Sequence, residues 1–259
     1  MDSSQTQRAQ AGPPFESALA LLQRRGDSRP LCTGSPELDR LTGGLEPGLF
    51  YLFYGDEDCE LPDALLHRLL VEAVREKGAR AVYLLCGNYR RSRTTMDPEL
   101  VLSHIEEAGL DAADALSRIH IVCAFSERHL IRAPSLVEGL LEGYDGFTLV
   151  AVQQITKIFY DRRAVRFEEP TEFTGTVSRL KAMCSERGVA LAATTRTSGQ
   201  GRPIPAPEGG SYLRHAANAI FYLRTSRKGT VMAYVVEHPD SARTGRRVNL
   251  GKEEPQWAG

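Results

Sequence analysis

Apolar residues along this chain come in short unbroken runs, and amphipathic stretches alternate with them. Runs at 49–54, 80–86, 119–123, 147–153 and 189–195 predict five strands. They are continuously apolar, the pattern of parallel strands covered on both faces. Helical periodicity between them predicts helices over 62–77, 97–108, 134–143 and 172–187. From Asn218 onward the pattern changes. Residues 218–223, a turn at 226–229 and residues 231–236 predict an antiparallel hairpin that closes a sheet edge. Two short helices precede the first strand. One spans 15–25, with Phe15, Ala18, Leu19 and Leu22 on one face; the other starts at Ser35-Pro36 and stops at Gly43-Gly44. Ser35 suits an N-cap and Pro36 the first helical position. The expected fold is α/β: a mostly parallel twisted sheet flanked by helices, with an antiparallel C-terminal hairpin. The expected organisation is an arm over 1–30 and a core domain over 31–259. The Gly- and Pro-rich stretch 198–210 is the one long loop, and such loops inside compact domains usually carry function.

Composition narrows this picture only modestly. With 42% hydrophobic and 25% charged residues, the 259-residue chain has the make-up of one sizeable globular domain. Five scattered cysteines without a C-x-x-C pair point to reduced thiols in an intracellular setting and to no metal site. No apolar run reaches membrane-spanning length, and residues 1–14 lack the apolar core of a signal peptide. The net charge of −1 conceals an asymmetry: ten basic residues lie between Arg196 and Lys252, against three acids, Glu208, Glu237 and Asp240. Of 32 basic residues in the chain 27 are Arg, which suits phosphate contacts and stacking on aromatic planes.

The chemistry-bearing position is the junction after the first strand. Strand, loop and Pro-initiated helix there make the scaffold of a phosphate-binding loop, which would read G-x-x-x-x-G-K-[ST]. The chain reads Gly55-Asp56-Glu57-Asp58-Cys59-Glu60-Leu61-Pro62. Gly55 is kept; Glu60 stands for the second Gly, Leu61 for the Lys and Pro62 for the hydroxyl residue. Asp56, Glu57, Asp58, Glu60 and Asp63 add carboxylates where a triphosphate would lie. One like-charge pair at ~4 Å and an effective dielectric of ~20 is repulsive by about 4 kcal/mol. As a group the carboxylates suit a solvated turn, a divalent-cation site or a mimic of nucleotide charge.

Several segments together resemble the ATPase core of the RecA/RadA strand-exchange recombinases, in their archaeal and eukaryotic branch. The segment Thr33-Gly34-Ser35-Pro36-Glu37-Leu38-Asp39-Arg40-Leu41-Thr42-Gly43-Gly44-Leu45-Glu46-Pro47-Gly48 follows that branch's lead-in to the phosphate loop. Phe15-Glu16-Ser17-Ala18 is similar to its F-x-x-A polymerisation motif, and Glu237-His238-Pro239 to the segment that caps a neighbouring subunit's ATP. The likeness covers about residues 15–250 and implies a RecA-like core. Position by position it implies a water-polarising Glu at Gly87 and a magnesium-binding Asp at Gln153, and neither is present. A polar sensor is implied near Thr195 or Arg196. The resemblance therefore implies a pseudo-ATPase with no catalytic residues and no cofactor.

The same resemblance assigns two loops to single-stranded DNA: one with Arg162, Arg163 and Arg166 beside Phe159, Tyr160 and Phe167, the other spanning Arg196, Arg202 and Arg214. Arginines among aromatics suit backbone contacts and base stacking. Asp161, Glu168 and Glu169 suit instead a solvated charged loop. The expected function is a non-catalytic recombinase paralogue in homologous recombination and DNA repair. It would dock on a recombinase-family protein, self or active paralogue, through Phe15 and Ala18 or the cap face at Pro239. The alternatives are an ATPase that binds nucleotide without the Lys, and a protein-binding scaffold without DNA contact. The expected location is the nucleus in a eukaryote and otherwise the cytoplasm or nucleoid, with no membrane partner.

Overall fold

A computed structural model of the chain describes residues 29–56, 60–87, 98–160, 170–198, 204–226 and 229–252. The arm bearing Phe15 and Ala18, the acidic positions 57–59, and Arg162, Arg163, Arg166 and Arg202 lie outside the described residues. Eight strands form one sheet in the order β3-β2-β4-β5-β1-β6-β7-β8. They are β1 (Phe50–Gly55), β2 (Arg80–Cys86), β3 (Ile119–Ala124), β4 (Phe147–Gln153), β5 (Ala190–Arg196), β6 (Ala219–Thr225), β7 (Thr230–Glu237) and β8 (Arg247–Lys252). Pairing is parallel from β3 through β6, and antiparallel for β6–β7 and β7–β8. The described helices are α1 (Pro36–Thr42), α2 (Leu61–Ala73), α3 (Pro98–Glu107), α4 (Ala112–Ser117), α5 (Glu127–Gly143), α6 (Lys157–Tyr160), α7 (Thr171–Arg187) and α8 (Gly210–Ala216).

The five apolar runs are β1 to β5: β1, β2, β4 and β5 are covered on both faces, whereas β3, at the sheet edge, leaves Ile121 and Cys123 exposed. One apolar cluster joins α1, α2 and α3 to Tyr51, Phe53, Tyr83 and Phe221; the other joins α5 and α7 to Phe50, Leu52, Tyr54, Val152 and Leu191. Alternate residues of β1 thus enter opposite layers, and every residue of that strand is buried. The α1 caps follow the sequence: Ser35 Oγ accepts from Leu38 N at 3.3 Å, and Gly43 closes the helix at φ 81. A side chain at that left-handed φ would be strained, so glycine is required there.

Three predicted elements differ. The helix predicted over 134–143 begins at Glu127, capped by Ser126, whose Oγ accepts from His129 N at 3.2 Å. Pro134 sits inside it and not at its start; its missing N–H forgoes one intrahelical bond, and its buried ring packs inward. The expected hairpin gains a third strand, β8, so the antiparallel portion is a three-stranded meander. The helix predicted over 62–77 ends at Ala73, where a buried arginine takes its terminal carbonyls. Arg118 Nη1 donates to Val74 O at 2.6 Å, Glu76 O at 2.9 Å and Ala79 O at 3.0 Å, while Nη2 meets Asp114 at 2.6 Å.

Candidate functional site

Sheet order brings the chemistry together. Strand β5 lies between β1 and β4, so residues after β1, at the end of β4 and at the end of β5 meet at one edge of the sheet. Gly55 ends β1 and is buried; Glu60 is exposed at the α2 N-cap, where its carbonyl accepts from Asp63 N and Ala64 N, each at 3.0 Å. Leu61, which stands where a phosphate-binding Lys would reach out, turns the other way. It is 7% exposed and packs in the α2-side apolar cluster, and Pro62 beside it is also buried. Gly87 is buried after β2, its N–H donating to Ala124 O at 3.1 Å. Gln153, at the end of β4, is 1% exposed.

The residue that organises this edge is Asp63, in the first turn of α2. Sequence reasoning counted it among the loop carboxylates and missed its direction. Thr194 Oγ1 donates to its Oδ1 at 2.5 Å, and Gln153 Nε2 donates to its Oδ2 at 3.1 Å. Gln154 Nε2 reaches both oxygens, at 3.1 and 3.0 Å. Gln154 holds φ 50, the one positive φ among the described non-glycine residues. A bulky residue adopts that conformation at a strain of order 1–3 kcal/mol, which surrounding bonds must over-determine. Here Gln154 N also donates to Thr194 Oγ1 at 2.8 Å. The network runs further inward: the Tyr83 hydroxyl donates to Gln153 Oε1, and His67 Nε2 lies 3.0 Å from that hydroxyl.

Burial pushes the Asp63 carboxyl above its ordinary range. Hydrogen bonds from Thr194, Gln153 and Gln154 and the charge of Lys157 pull the other way. Burial also pushes the Tyr83 phenol well up, so it stays neutral and keeps its proton for Gln153. The set can hold one anion, and a carboxylate of the chain itself is in place. Among the described residues no group of three or more His, Cys, Asp or Glu is arranged to hold a metal ion.

A second polar cluster adjoins it. Thr156 and Thr195 hydroxyls lie 2.6 Å apart, and Thr156 Oγ1 donates to Glu208 at 2.7 Å. Arg196 Nε donates to both Glu208 oxygens, at 3.1 and 3.2 Å. Backbone bonds Ser198 N to Ala206 O (2.8 Å) and Glu208 N to Arg196 O (2.7 Å) close the neck of the long loop. The hydroxyl facing Asp63 is therefore Thr194, one residue before the predicted sensor position, while Thr195 and Arg196 serve the loop neck. The alternation of side chains along β5 turns Thr195 to the face opposite Thr194.

The basic C-terminal region is less free than its composition suggests. Its three acids each take one arginine: Glu208 takes Arg196, Glu237 takes Arg214 at 3.5 Å, and Asp240 takes Arg243 at 3.2 Å. The Arg224 guanidinium lies 5.8 Å from the Tyr234 ring centre. Pro239 is exposed, next to His238, whose Nε2 lies 3.1 Å from Thr42 O at the end of α1. Arg243 Nη1 donates to Leu41 O at 2.9 Å, so this segment is tied to α1 of the same chain. Away from these sites a cleft of about 360 Å³ opens between α1, α2 and α3. Its arginines are matched to carboxylates, Arg75 to Glu72 at 3.0 Å and Arg68 to Glu107 at 3.5 Å.

A parallel sheet in the order β3-β2-β4-β5-β1, extended by antiparallel strands and carrying a strand–loop–helix unit after β1, is a RecA-like α/β core. The chain is similar to a protein of the RecA/RadA-type recombinase family. It is 26% identical over 257 residues to the DNA repair protein RAD51 homolog B of Zea mays, a match covering 92% of this chain and 73% of that protein. No family model matches the chain.

Proposed function

We propose that this chain is a non-catalytic recombinase paralogue that acts in homologous recombination and DNA repair without binding or hydrolysing ATP. The observation that carries this reading is the disposition of Leu61 and Asp63. Leu61 is buried in the core, and the carboxyl of Asp63 takes the donors of Gln153, Gln154 and Thr194. Phosphoryl transfer depends on a cation and a metal to neutralise charge at this place, and the chain offers a leucine and an anion. Titrating the protein with Mg·ATP in a calorimeter tests it: the expected result is no binding heat, and saturable micromolar binding refutes the reading.

Its role is then to dock on an active recombinase, through Phe15 and Ala18 or the face around Pro239, in the nucleus of a eukaryote or otherwise in the cytoplasm or nucleoid. Strand β3 borders the sheet, and Ile121 on it is 50% exposed. An apolar margin of this kind accepts an added strand. Phe15→Glu is expected to abolish association with the partner recombinase; unchanged affinity removes Phe15 from the docking surface. A second reading, a protein-binding scaffold without DNA contact, is favoured by the pairing of Arg196 and Arg214 with carboxylates. The two separate on a labelled oligonucleotide: DNA contact gives affinity that falls steeply with salt, and the scaffold gives none.

A further inference from the structure

The nucleotide-free reading explains what the site lacks and leaves open why it is so fully hydrogen-bonded. We propose that Asp63 is a built-in ligand, a carboxyl acceptor supplied by the chain itself that latches α2 to β4 and β5 with no nucleotide or metal present. The inference rests on that reading and extends it to the regulation of the same site.

Three side chains from the ends of two strands converge on one carboxylate. Thr194 Oγ1 reaches Oδ1 at 2.5 Å, Gln153 Nε2 reaches Oδ2 at 3.1 Å, and Gln154 Nε2 reaches both at 3.1 and 3.0 Å. The direction of each bond is fixed by a further partner. Gln153 Oε1 accepts the Tyr83 hydroxyl proton, so its amide N–H must face Asp63. Thr194 Oγ1 accepts from Gln154 N at 2.8 Å, which leaves its own proton for Asp63. Gln154 is held at φ 50 to present its amide. A solvated surface carboxylate has no need of such a shell. Asp63 is half-buried as a residue, yet all of these partners lie on its inward side, and Gln153 and Thr194 are buried at 1% and 0% exposure.

The arrangement exchanges donor and acceptor across the α2–β4 gap. By resemblance, the helix should offer a cation and a hydroxyl to phosphate and metal, and the strand should offer a carboxylate. Here the helix offers the carboxylate, and the strand offers amide donors at 153 and 154. The hydrogen bonding that a bound nucleotide would bring is met within the chain. The helix is thereby held against the sheet in one state, and partner association does not switch with nucleotide.

The test is chemical rescue in the full chain. Asp63→Ala leaves three converging donors around a carboxylate-sized gap. Its unfolding equilibrium constant in urea is expected to rise about 10- to 100-fold, the range for buried donors losing their acceptor. Sodium formate supplies the missing group and is expected to restore a large part of that loss, while sodium chloride at equal ionic strength is not. Adding Thr194→Val removes one donor and should blunt the formate effect. If Asp63→Ala does not fold in plain buffer, recovery of folded protein on refolding in formate, and not in chloride, supports the latch equally. Wild-type stability retained in Asp63→Ala, or identical behaviour in formate and chloride, overturns it. The two readings fail separately: Mg·ATP bound by wild type overturns the nucleotide-free reading, whereas formate-blind Asp63→Ala with no ATP binding overturns the latch alone.

Discussion

Placing a cation at position 61 should not create a nucleotide site, because the backbone points that side chain into the core. In Leu61→Lys the new side chain starts from a position 7% exposed, among the apolar residues of the α2 layer. Removing a buried leucine forfeits about 1.5–3 kcal/mol of burial. A cation in the first turn of a helix opposes the dipole and costs roughly 0.3–1 kcal/mol more. The two costs together come to about 2–4 kcal/mol, an upper bound because the Lys stem can snorkel toward solvent and recover a part. For a domain of this size each kcal/mol moves the melting temperature by roughly 2–4 °C, which gives a fall of at most roughly 4–16 °C. Thermal unfolding followed by circular dichroism reads the fall, and calorimetry on the same sample reads ATP binding, expected to be absent. A Leu61→Lys protein that melts with wild type and takes up Mg·ATP would show that side chain 61 faces the site, and the reasoning would be wrong at its root.

Three further outcomes follow from described contacts. Arg118→Leu strips the cap from three backbone carbonyls and should cost about 3–5 kcal/mol in urea unfolding, whereas Asp114→Ala, whose carboxylate is 63% exposed, should cost under about 1 kcal/mol. Because burial raises the Asp63 carboxyl above its ordinary value of 3.8, the folded chain keeps that proton to higher pH than the unfolded chain does. Its stabilising contribution is then full below that value and declines as pH rises through the raised one. Wild-type stability relative to Asp63→Asn should fall as pH rises from that ordinary value through the raised one, and a gap that widens in favour of wild type would contradict the sign. Among the cysteines, an alkylating reagent under native conditions should modify exposed Cys32 and Cys123 and spare buried Cys86 and Cys184, read by peptide mass spectrometry.

The sheet was legible because burial on both faces leaves a signature that no surface element imitates. Unbroken runs such as Leu149-Val150-Ala151-Val152 have few other uses. Strand β8 was not, because Arg247-Val248-Asn249-Leu250-Gly251-Lys252 carries only two apolar residues, both packed on one face at a sheet margin. Pro134 misled for a physical reason: a proline fits a first helical turn so well that a start was read there, while Ser126, the actual cap, stood eight residues earlier among charges. At the site, the residue types at 60, 61, 62, 87 and 153 could be read off one dimension. The partnership of Asp63 with Thr194 could not, since charge counting says how many carboxylates a loop has and nothing about which one turns inward. A usable signal was present in Gln153-Gln154: adjacent amides ending a buried strand call for an acceptor nearby.

The clasp at the base of the 196–208 excursion has a practical corollary. Its two legs are already fastened by the Ser198–Ala206 and Arg196–Glu208 backbone bonds and by the Glu208 carboxylate. Extra residues spliced between 198 and 204 would therefore lengthen a hoop whose ends are pinned, and each doubling of a closed loop adds only about 0.6 kcal/mol of entropic cost. That makes the stretch between the two fastened legs a graft point for an epitope, a fluorophore tag or a cross-linker that leaves the legs themselves undisturbed.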